Sequence, residues 1–134
     1  ERELMIGWEW KPWGRTLCLL ADPSHNVHVL RTLAGGFSSR HYHRAKVNRF
    51  YVRTGRIIVR EWKAGAVVST PLGPGGIYDV PPMVVHQFEV IEGGSVWETY
   101  WPAWPNAVAS PDDIVRLSEN GINQDDTPAG IRTA

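Results

Sequence analysis

Residues 35–55 read GGFSSRHYHRAKVNRFYVRTG, and residues 75–86 read GGIYDVPPMVVH. The first stretch passes from a glycine through five residues to a His-x-His pair, through four more to an asparagine and through six more to a glycine: Gly35, His41, His43, Asn48 and Gly55. The second passes from a glycine through five residues to a proline, then through one to a methionine and through two to a histidine: Gly75, Pro81, Met83 and His86. Residues two apart on a strand point to the same side, so the paired histidines share a face if extended.

The third histidine also lies in a strand pattern. His86 alternates with the apolar residues Val84, Phe88 and Val90, so this face is predicted to point into the protein. If the strands close into a barrel, the three imidazoles form a facial set of neutral nitrogen donors, which suits a divalent metal ion. The alternative is a polar cavity in which the three rings are hydrogen-bonded and bind no metal.

The composition describes one ordinary domain with a packed core. The chain has 134 residues and a mass of 15.1 kDa, with 43% hydrophobic residues, and we expect a single domain over residues 1–122 and a C-terminal tail over residues 123–134. Fourteen basic residues balance fourteen acidic ones, so net charge gives no reason to expect binding to nucleic acid or to an anionic membrane. No apolar run approaches the roughly 20 residues of a membrane helix. The lone Cys18 cannot form an internal disulfide, which favours a reducing, cytoplasmic compartment.

The charges are unevenly distributed along the chain. No acidic residue lies between Asp22 and Glu61, whereas eight of the fourteen basic residues do: Arg31, Arg40, Arg44, Lys46, Arg49, Arg53, Arg56 and Arg60. One interpretation is a solvated strand face. The other is a basic rim around a pocket for phosphate or carboxylate, since the planar guanidinium binds such groups through two hydrogen bonds.

The hydrophobic pattern predicts an all-β protein. Short strands separated by glycine and proline are expected over 16–21, 27–33, 47–53, 56–62, 77–80, 84–91 and 96–101. Gly55 is expected to turn a hairpin, and Gly93-Gly94 to separate the last two strands. Pro111-Asp112-Asp113 predicts a short helix over 114–118, because acidic residues favour a first turn. Cys18 lies in an apolar run and is predicted to be a core residue.

The two stretches together resemble the sequence motifs of the cupin superfamily. Every spacing agrees with that pattern, and the departures are of identity: Asn48 replaces a glutamate, Met83 a glycine and Val90 an asparagine. The resemblance implies a cupin double-stranded β-helix, a jelly-roll barrel, here with a short C-terminal helix. It also implies a divalent metal ion, zinc, manganese or iron, held by His41, His43 and His86, with Asn48 as a weak neutral ligand.

Further segments resemble the type II mannose-6-phosphate isomerase domain. They are Lys11-Pro12-Trp13-Gly14, His41-Tyr42-His43-Arg44, Glu98 on the last strand, and the segment 112–117, Asp-Asp-Ile-Val-Arg-Leu. The resemblance implies isomerisation of a phosphorylated sugar in a small stand-alone cupin. Glu98 is then the candidate base, although an exposed strand carboxylate is the alternative. Arg44, Lys46 and Arg116 are the candidate contacts to a sugar phosphate or another small anion.

Other functions remain open at this point. A three-histidine site without the carboxylate also resembles the Fe(II) cupin dioxygenases. A cupin that binds a sugar or an anion without turnover is a second alternative. A metal-independent epimerase-like cupin is a third, with Asp79 as the available acidic partner. Cupins are commonly dimers and tryptophan is enriched in interfaces, so we expect a homodimer.

Overall fold

The computed structural model describes residues 7–123, and antiparallel strands make up its architecture. Within that range there are eleven strands and no helix: β1 (Trp8–Lys11), β2 (Gly14–Asp22), β3 (His25–Thr32), β4 (Gly36–Phe37), β5 (His41–Tyr42), β6 (Lys46–Lys63), β7 (Ala66–Leu72), β8 (Ile77–Val80), β9 (Val85–Pro102), β10 (Val115–Arg116) and β11 (Gly121–Ile122). The prediction of an all-β protein is confirmed.

Two strands of 18 residues, β6 and β9, form the frame of the barrel. They pair with each other along their length, from Lys46 opposite Pro102 to Trp62 opposite Val85. Strands β7 and β8 pair with β6, while β3, β4 and β5 pair with β9. Strands β2 and β1 continue the sheet beyond β3, and the short β10 and β11 cover β5 and β4. The result is a nearly closed barrel with an enclosed interior.

The predicted hairpin at Gly55 and the predicted break at the later glycine pair are both wrong. Each lies inside one of the two long strands, where the β6–β9 register shifts. Gly55 has a φ of 84°, and a Cβ there would lie 2.6 Å from the carbonyl oxygen of Glu92. A Cβ at Gly94 would lie 2.2 Å from the carbonyl oxygen of Thr54. These glycines therefore allow the two strands to bend in close backbone contact, without turning back.

The core fills the interior between the two faces of the barrel. Phe88 and Val90 on β9 are buried, as their alternation predicts, and Phe88 packs edge-on against Trp13 with ring centroids 5.2 Å apart. The other members of the cluster come from β3 and from the inward positions of β6 to β9: Leu30, Phe50, Val52, Ile57, Val59, Leu72, Val80 and Val96. Burial of these side chains contributes roughly 1.5–3 kcal/mol each.

The short C-terminal helix predicted over 114–118 is wrong. Turns follow Pro111, and the segment then forms β10, whose Val115 and Arg116 pair with Tyr42 and His41 of β5. The carboxylate of Asp113 accepts the backbone N–H groups of Arg44 and Ala45, in the bend that follows the His-x-His pair, so it does not cap a helix. A tertiary partner thus overrides the local helix signal.

The first six residues of the predicted domain lie outside the described residues, as does the predicted tail apart from Asn123. The backbone N–H of Asn123 donates to the carbonyl of Gly35 at 3.0 Å. Over residues 7–123, we find no helix with the length and apolar character that crossing a membrane requires.

Candidate metal centre

Three histidines from separate parts of the chain meet inside the barrel. His41 belongs to β5, His43 follows that strand, and His86 lies near the start of β9, opposite His41 in the register. Their exposed fractions are 7%, 3% and 0%. One ring nitrogen from each lies within 4.8 Å of the others. The structure thus brings together the three imidazoles that the sequence spacing singled out.

Each ring is held by a backbone carbonyl through its Nδ1 atom. His41 Nδ1–H donates to Ser39 at 2.8 Å, His43 Nδ1–H to Asp113 at 2.7 Å and His86 Nδ1–H to Val84 at 2.9 Å. A carbonyl only accepts, so Nδ1 carries the proton and Nε2 keeps its lone pair when the ring is neutral. The buried Nε2 of His43 has no hydrogen-bond partner. This pattern, Nδ1 fixed and Nε2 free, orients histidines as metal ligands.

The electrostatics keep the three rings neutral. Burial, with the neighbouring histidines, lowers the pKa of His41 to about 2. Burial also lowers the pKa of His43 to about 3, against the opposing hydrogen bond to Asp113. The pKa of His86 is lowered as well, again mainly by burial. Neutral imidazoles that need no proton removed before binding fit a divalent metal ion.

Asn48 lies at the cluster and is fully buried. Its Oδ1 is 3.1 Å from His86 Nε2. Both atoms present lone pairs, since Nδ1 already carries the imidazole proton. Two acceptors that face the same space suit a shared cation, although a neutral amide oxygen is a weaker ligand than a carboxylate. Asn48 therefore lies beside the cluster, in contact with His86.

Met83 occupies the motif position at which cupins have glycine. Its φ is 69°, in the left-handed region, and its side chain is 62% exposed. Its N–H donates to the carbonyl of His43 at 2.7 Å, which ties the turn before β9 to the His-x-His segment. The backbone conformation explains why glycine suits this position, and methionine adopts it at a cost of roughly 1 kcal/mol.

A cavity of about 280 Å³ opens beside the cluster. His41 and His43 line it together with Glu98 and Tyr100. Burial raises the pKa of the Glu98 carboxyl, while the neighbouring Tyr100 hydroxyl and Asn48 amide act in the opposite direction. Burial and the Glu98 charge raise the pKa of the Tyr100 hydroxyl well above its usual value. A carboxyl that could accept or return a proton thus lines the same cavity as His41 and His43.

The three predicted anion contacts occupy different positions. Lys46 lines the cavity and is 2% exposed, and its Nζ donates to the carbonyl of Ser110 at 2.6 Å. Burial lowers its pKa. Arg116 also lines the cavity. Arg44 does not line it and is exposed to solvent.

Sequence reasoning missed three further residues that line the cavity. Tyr100 shares the inward face of β9 with Glu98, and this alternation was the signal that could have identified it. Cys18 is exposed at the cavity, so its predicted place in the core is wrong. It lies opposite His28 in the β2–β3 register, and His28 lies opposite Glu98 in the β3–β9 register. Only the strand pairing, and no local pattern, brings Cys18 and His28 to the face that carries Glu98.

Asp79, the acidic partner considered for a metal-independent epimerase, points elsewhere. It forms a two-bond ion pair with Arg49, at 2.7 and 2.9 Å, and both side chains are partly exposed. It is not among the residues that line the cavity.

No protein-family model and no curated protein sequence matches the chain. Solved structures do. Oxalate decarboxylase from Bacillus subtilis at pH 4.6 matches with a TM-score of 0.70 and 14% identity, over 82% of this chain and 29% of that one. A mutant of the same enzyme matches with a TM-score of 0.69 and 14% identity, over 82% of this chain and 30% of that one. A structure from work on the Mn(II) centres of that decarboxylase matches with a TM-score of 0.64 and 14% identity, over 78% of this chain and 30% of that one.

This chain therefore spans under a third of the decarboxylase chains it matches. At 14% identity the likeness concerns the fold alone. That enzyme is a cupin, and the barrel described above agrees with it. The chain has the cupin fold that its motif spacing predicts, and its three-histidine cluster supports a divalent metal ion.

Proposed function

We propose that the protein is a metal-dependent isomerase that interconverts the aldose and ketose forms of a small phosphorylated sugar. One observation carries the proposal: Glu98 lines the same cavity as His41 and His43, two of the three histidines of the cluster. The volume of about 280 Å³ is close to the lower end of the roughly 300–1,000 Å³ typical of small-molecule sites. Mannose 6-phosphate is the first substrate to test, because the sequence resembles the type II isomerase domain.

The residues of the cavity divide the reaction between them. His41, His43 and His86 would hold the metal ion, with Asn48 beside them, and a bound divalent ion polarises a carbonyl and stabilises developing negative charge on oxygen. The Glu98 carboxylate would take the proton from the carbon next to the carbonyl and return it to the former carbonyl carbon. The raised pKa of Glu98 strengthens it as a base.

Two cationic side chains favour an anionic substrate. Lys46 keeps two of its three N–H groups free of the Ser110 contact, and Arg116 presents a guanidinium at the cavity. Both would bind the phosphate and place the sugar carbons between Glu98 and the histidines. The exposed Arg44 is left out of this role.

The test combines metal content with turnover. The protein is purified without nickel resin, its metal is measured by elemental mass spectrometry, and isomerisation is followed by NMR. We expect near-stoichiometric metal in the wild type, its loss in His86→Ala, and its retention in the control His25→Ala, which alters an exposed histidine. Glu98→Gln should keep the metal and lose on the order of 10²- to 10⁴-fold in kcat.

Glu92→Gln is the matched control for Glu98→Gln, since Glu92 is an exposed carboxylate on the same strand. Unchanged turnover in Glu98→Gln would remove that residue from the mechanism. Metal binding without turnover of any sugar phosphate would refute the isomerase and leave a sugar- or anion-binding cupin.

A second candidate, an Fe(II) dioxygenase, is favoured by one specific observation. Asn48 stands where the motif has glutamate, so the charged ligand is missing and the ligating nitrogens are all neutral. The bound metal discriminates the two functions: iron together with oxygen uptake favours the dioxygenase, whereas zinc or manganese with sugar-phosphate turnover favours the isomerase.

A further inference from the structure

A buried carboxylate lies next to the histidine cluster and has no place in the mechanism above. Glu61 on β6 is 0% exposed. It pairs with His86 on β9, and His86 pairs in turn with His41 on β5. Directly opposed residues of antiparallel strands share a face, with Cβ atoms about 5 Å apart. Glu61 therefore continues the row of metal ligands on the interior face of the sheet.

The surroundings of Glu61 leave its charge poorly compensated. The hydroxyl of Tyr78 donates to its Oε1. Lys63 Nζ lies 3.5 Å from Oε2, but this lysine side chain is 44% exposed. Oε2 accepts no hydrogen bond. A buried carboxylate is costly unless it is paired and hydrogen-bonded, and one tyrosine with one solvated lysine meets that need only in part.

The metal centre, in contrast, lacks a negative charge. Its three histidines are neutral, and the glutamate expected at position 48 is an asparagine. Glu61 lies directly opposite His86 in the β6–β9 register, so the field of its charge acts at the cluster. A divalent cation at the cluster would feel the same field, and a favourable charge nearby in the interior strengthens binding.

We propose that Glu61 is the anionic partner of the metal centre, supplying from a later position on β6 the negative charge that Asn48 does not. The inference rests on the metal site of the proposed function but not on the isomerase reaction. Tyr78 holds the carboxylate in place, and the bound ion offsets its burial. Glu61 is thus a positioning and charge-balancing residue, outside the set of ligands.

The test measures affinity and stability separately. Mn²⁺ and Zn²⁺ are titrated calorimetrically into the apo forms of the wild type and of Glu61→Gln, Glu61→Asp and Glu92→Gln. We expect Glu61→Gln to weaken metal binding at least tenfold, within the 10- to 100-fold range typical of groups that support metal ligands. Glu61→Asp keeps the charge and should stay within about threefold of the wild type, as should the exposed control Glu92→Gln.

Thermal unfolding supplies the second readout. Without metal, Glu61→Gln should be at least as stable as the wild type, because it removes a poorly compensated buried charge. When metal is added, the Tm of Glu61→Gln should rise less than that of the wild type. A weakening below tenfold, an equal loss in Glu61→Asp, or an unfolded apo Glu61→Gln would each overturn the inference. Loss of sugar-phosphate turnover alone would refute the isomerase and leave this result intact.

Discussion

Asp113 ties the loop before β10 to the His-x-His segment, and its replacement should weaken the metal centre without touching a ligand. Its carboxylate accepts the backbone N–H of Arg44 at 2.8 Å and that of Ala45 at 2.9 Å. Its carbonyl accepts His43 Nδ1–H at 2.7 Å. Asp113→Ala removes the first two bonds directly and frees the loop that provides the third.

The size of the effect follows from these contacts. A hydrogen bond to a charged group contributes roughly 1.5–3 kcal/mol, but one of the two N–H groups is exposed and the other is only partly buried. We therefore expect Asp113→Ala to lose about 2 kcal/mol in total. That loss corresponds to a fall in Tm on the order of 5–10 °C for a domain of this size. Metal affinity should fall about 10- to 100-fold, because the orientation of His43 is no longer fixed.

Two assays check this prediction. Urea denaturation of the apo protein gives the change in unfolding free energy, and competition with a chelator gives the metal affinity. Asp112→Ala is the matched control, since the neighbouring aspartate is exposed. If Asp113→Ala matched Asp112→Ala in both stability and affinity, His43 would be held by its own segment alone, and the reasoning would be refuted.

Two further predictions concern the frame of the barrel and the metal ion. Gly94→Ala places a Cβ 2.2 Å from the carbonyl oxygen of Thr54 and should cost about 3 kcal/mol in urea denaturation. Gly65→Ala, with nothing within 4 Å and a φ of 79°, should cost roughly 1 kcal/mol; equal losses would contradict the close strand contact. Metal at about 100 times its Kd should stabilise the wild type by about 2.7 kcal/mol. This stabilisation is measured as a rise in Tm, which His41→Ala should lack. No rise in the Tm of the wild type would contradict a metal site in the folded state.

The histidine cluster could be predicted from the sequence because several spacings constrain it together. The alternation around His86 indicates that its face is interior. The single residue between His41 and His43 places both rings on one side of an extended chain. Both signals depend on the geometry of a single strand, which a sequence pattern records directly. The alternative of a purely hydrogen-bonded cavity loses support, because the bonds to backbone carbonyls all involve Nδ1 and His43 Nε2 stays unpaired.

Two of the wrong predictions share a physical cause. Local conformation alone predicts a turn at Gly55 and a helix start at Asp113. In the folded chain both serve distant partners: Gly55 admits the backbone of β9, and Asp113 binds the segment after the His-x-His pair. Local propensity is a weak prior when a tertiary contact at the same position is stronger.

The buried carboxylate of Glu61 also shows what a sequence pattern cannot predict. A motif compares residues at equivalent positions. It therefore shows that Asn48 lacks the charge of a glutamate, and it predicts weaker metal binding. It contains no information on Glu61, because only the β6–β9 register brings that residue beside His86. A metal ion responds to the charge around it and not to the position in the chain that supplies the charge. A departure from a motif is therefore evidence about one position, and the strand register decides whether another residue compensates for it.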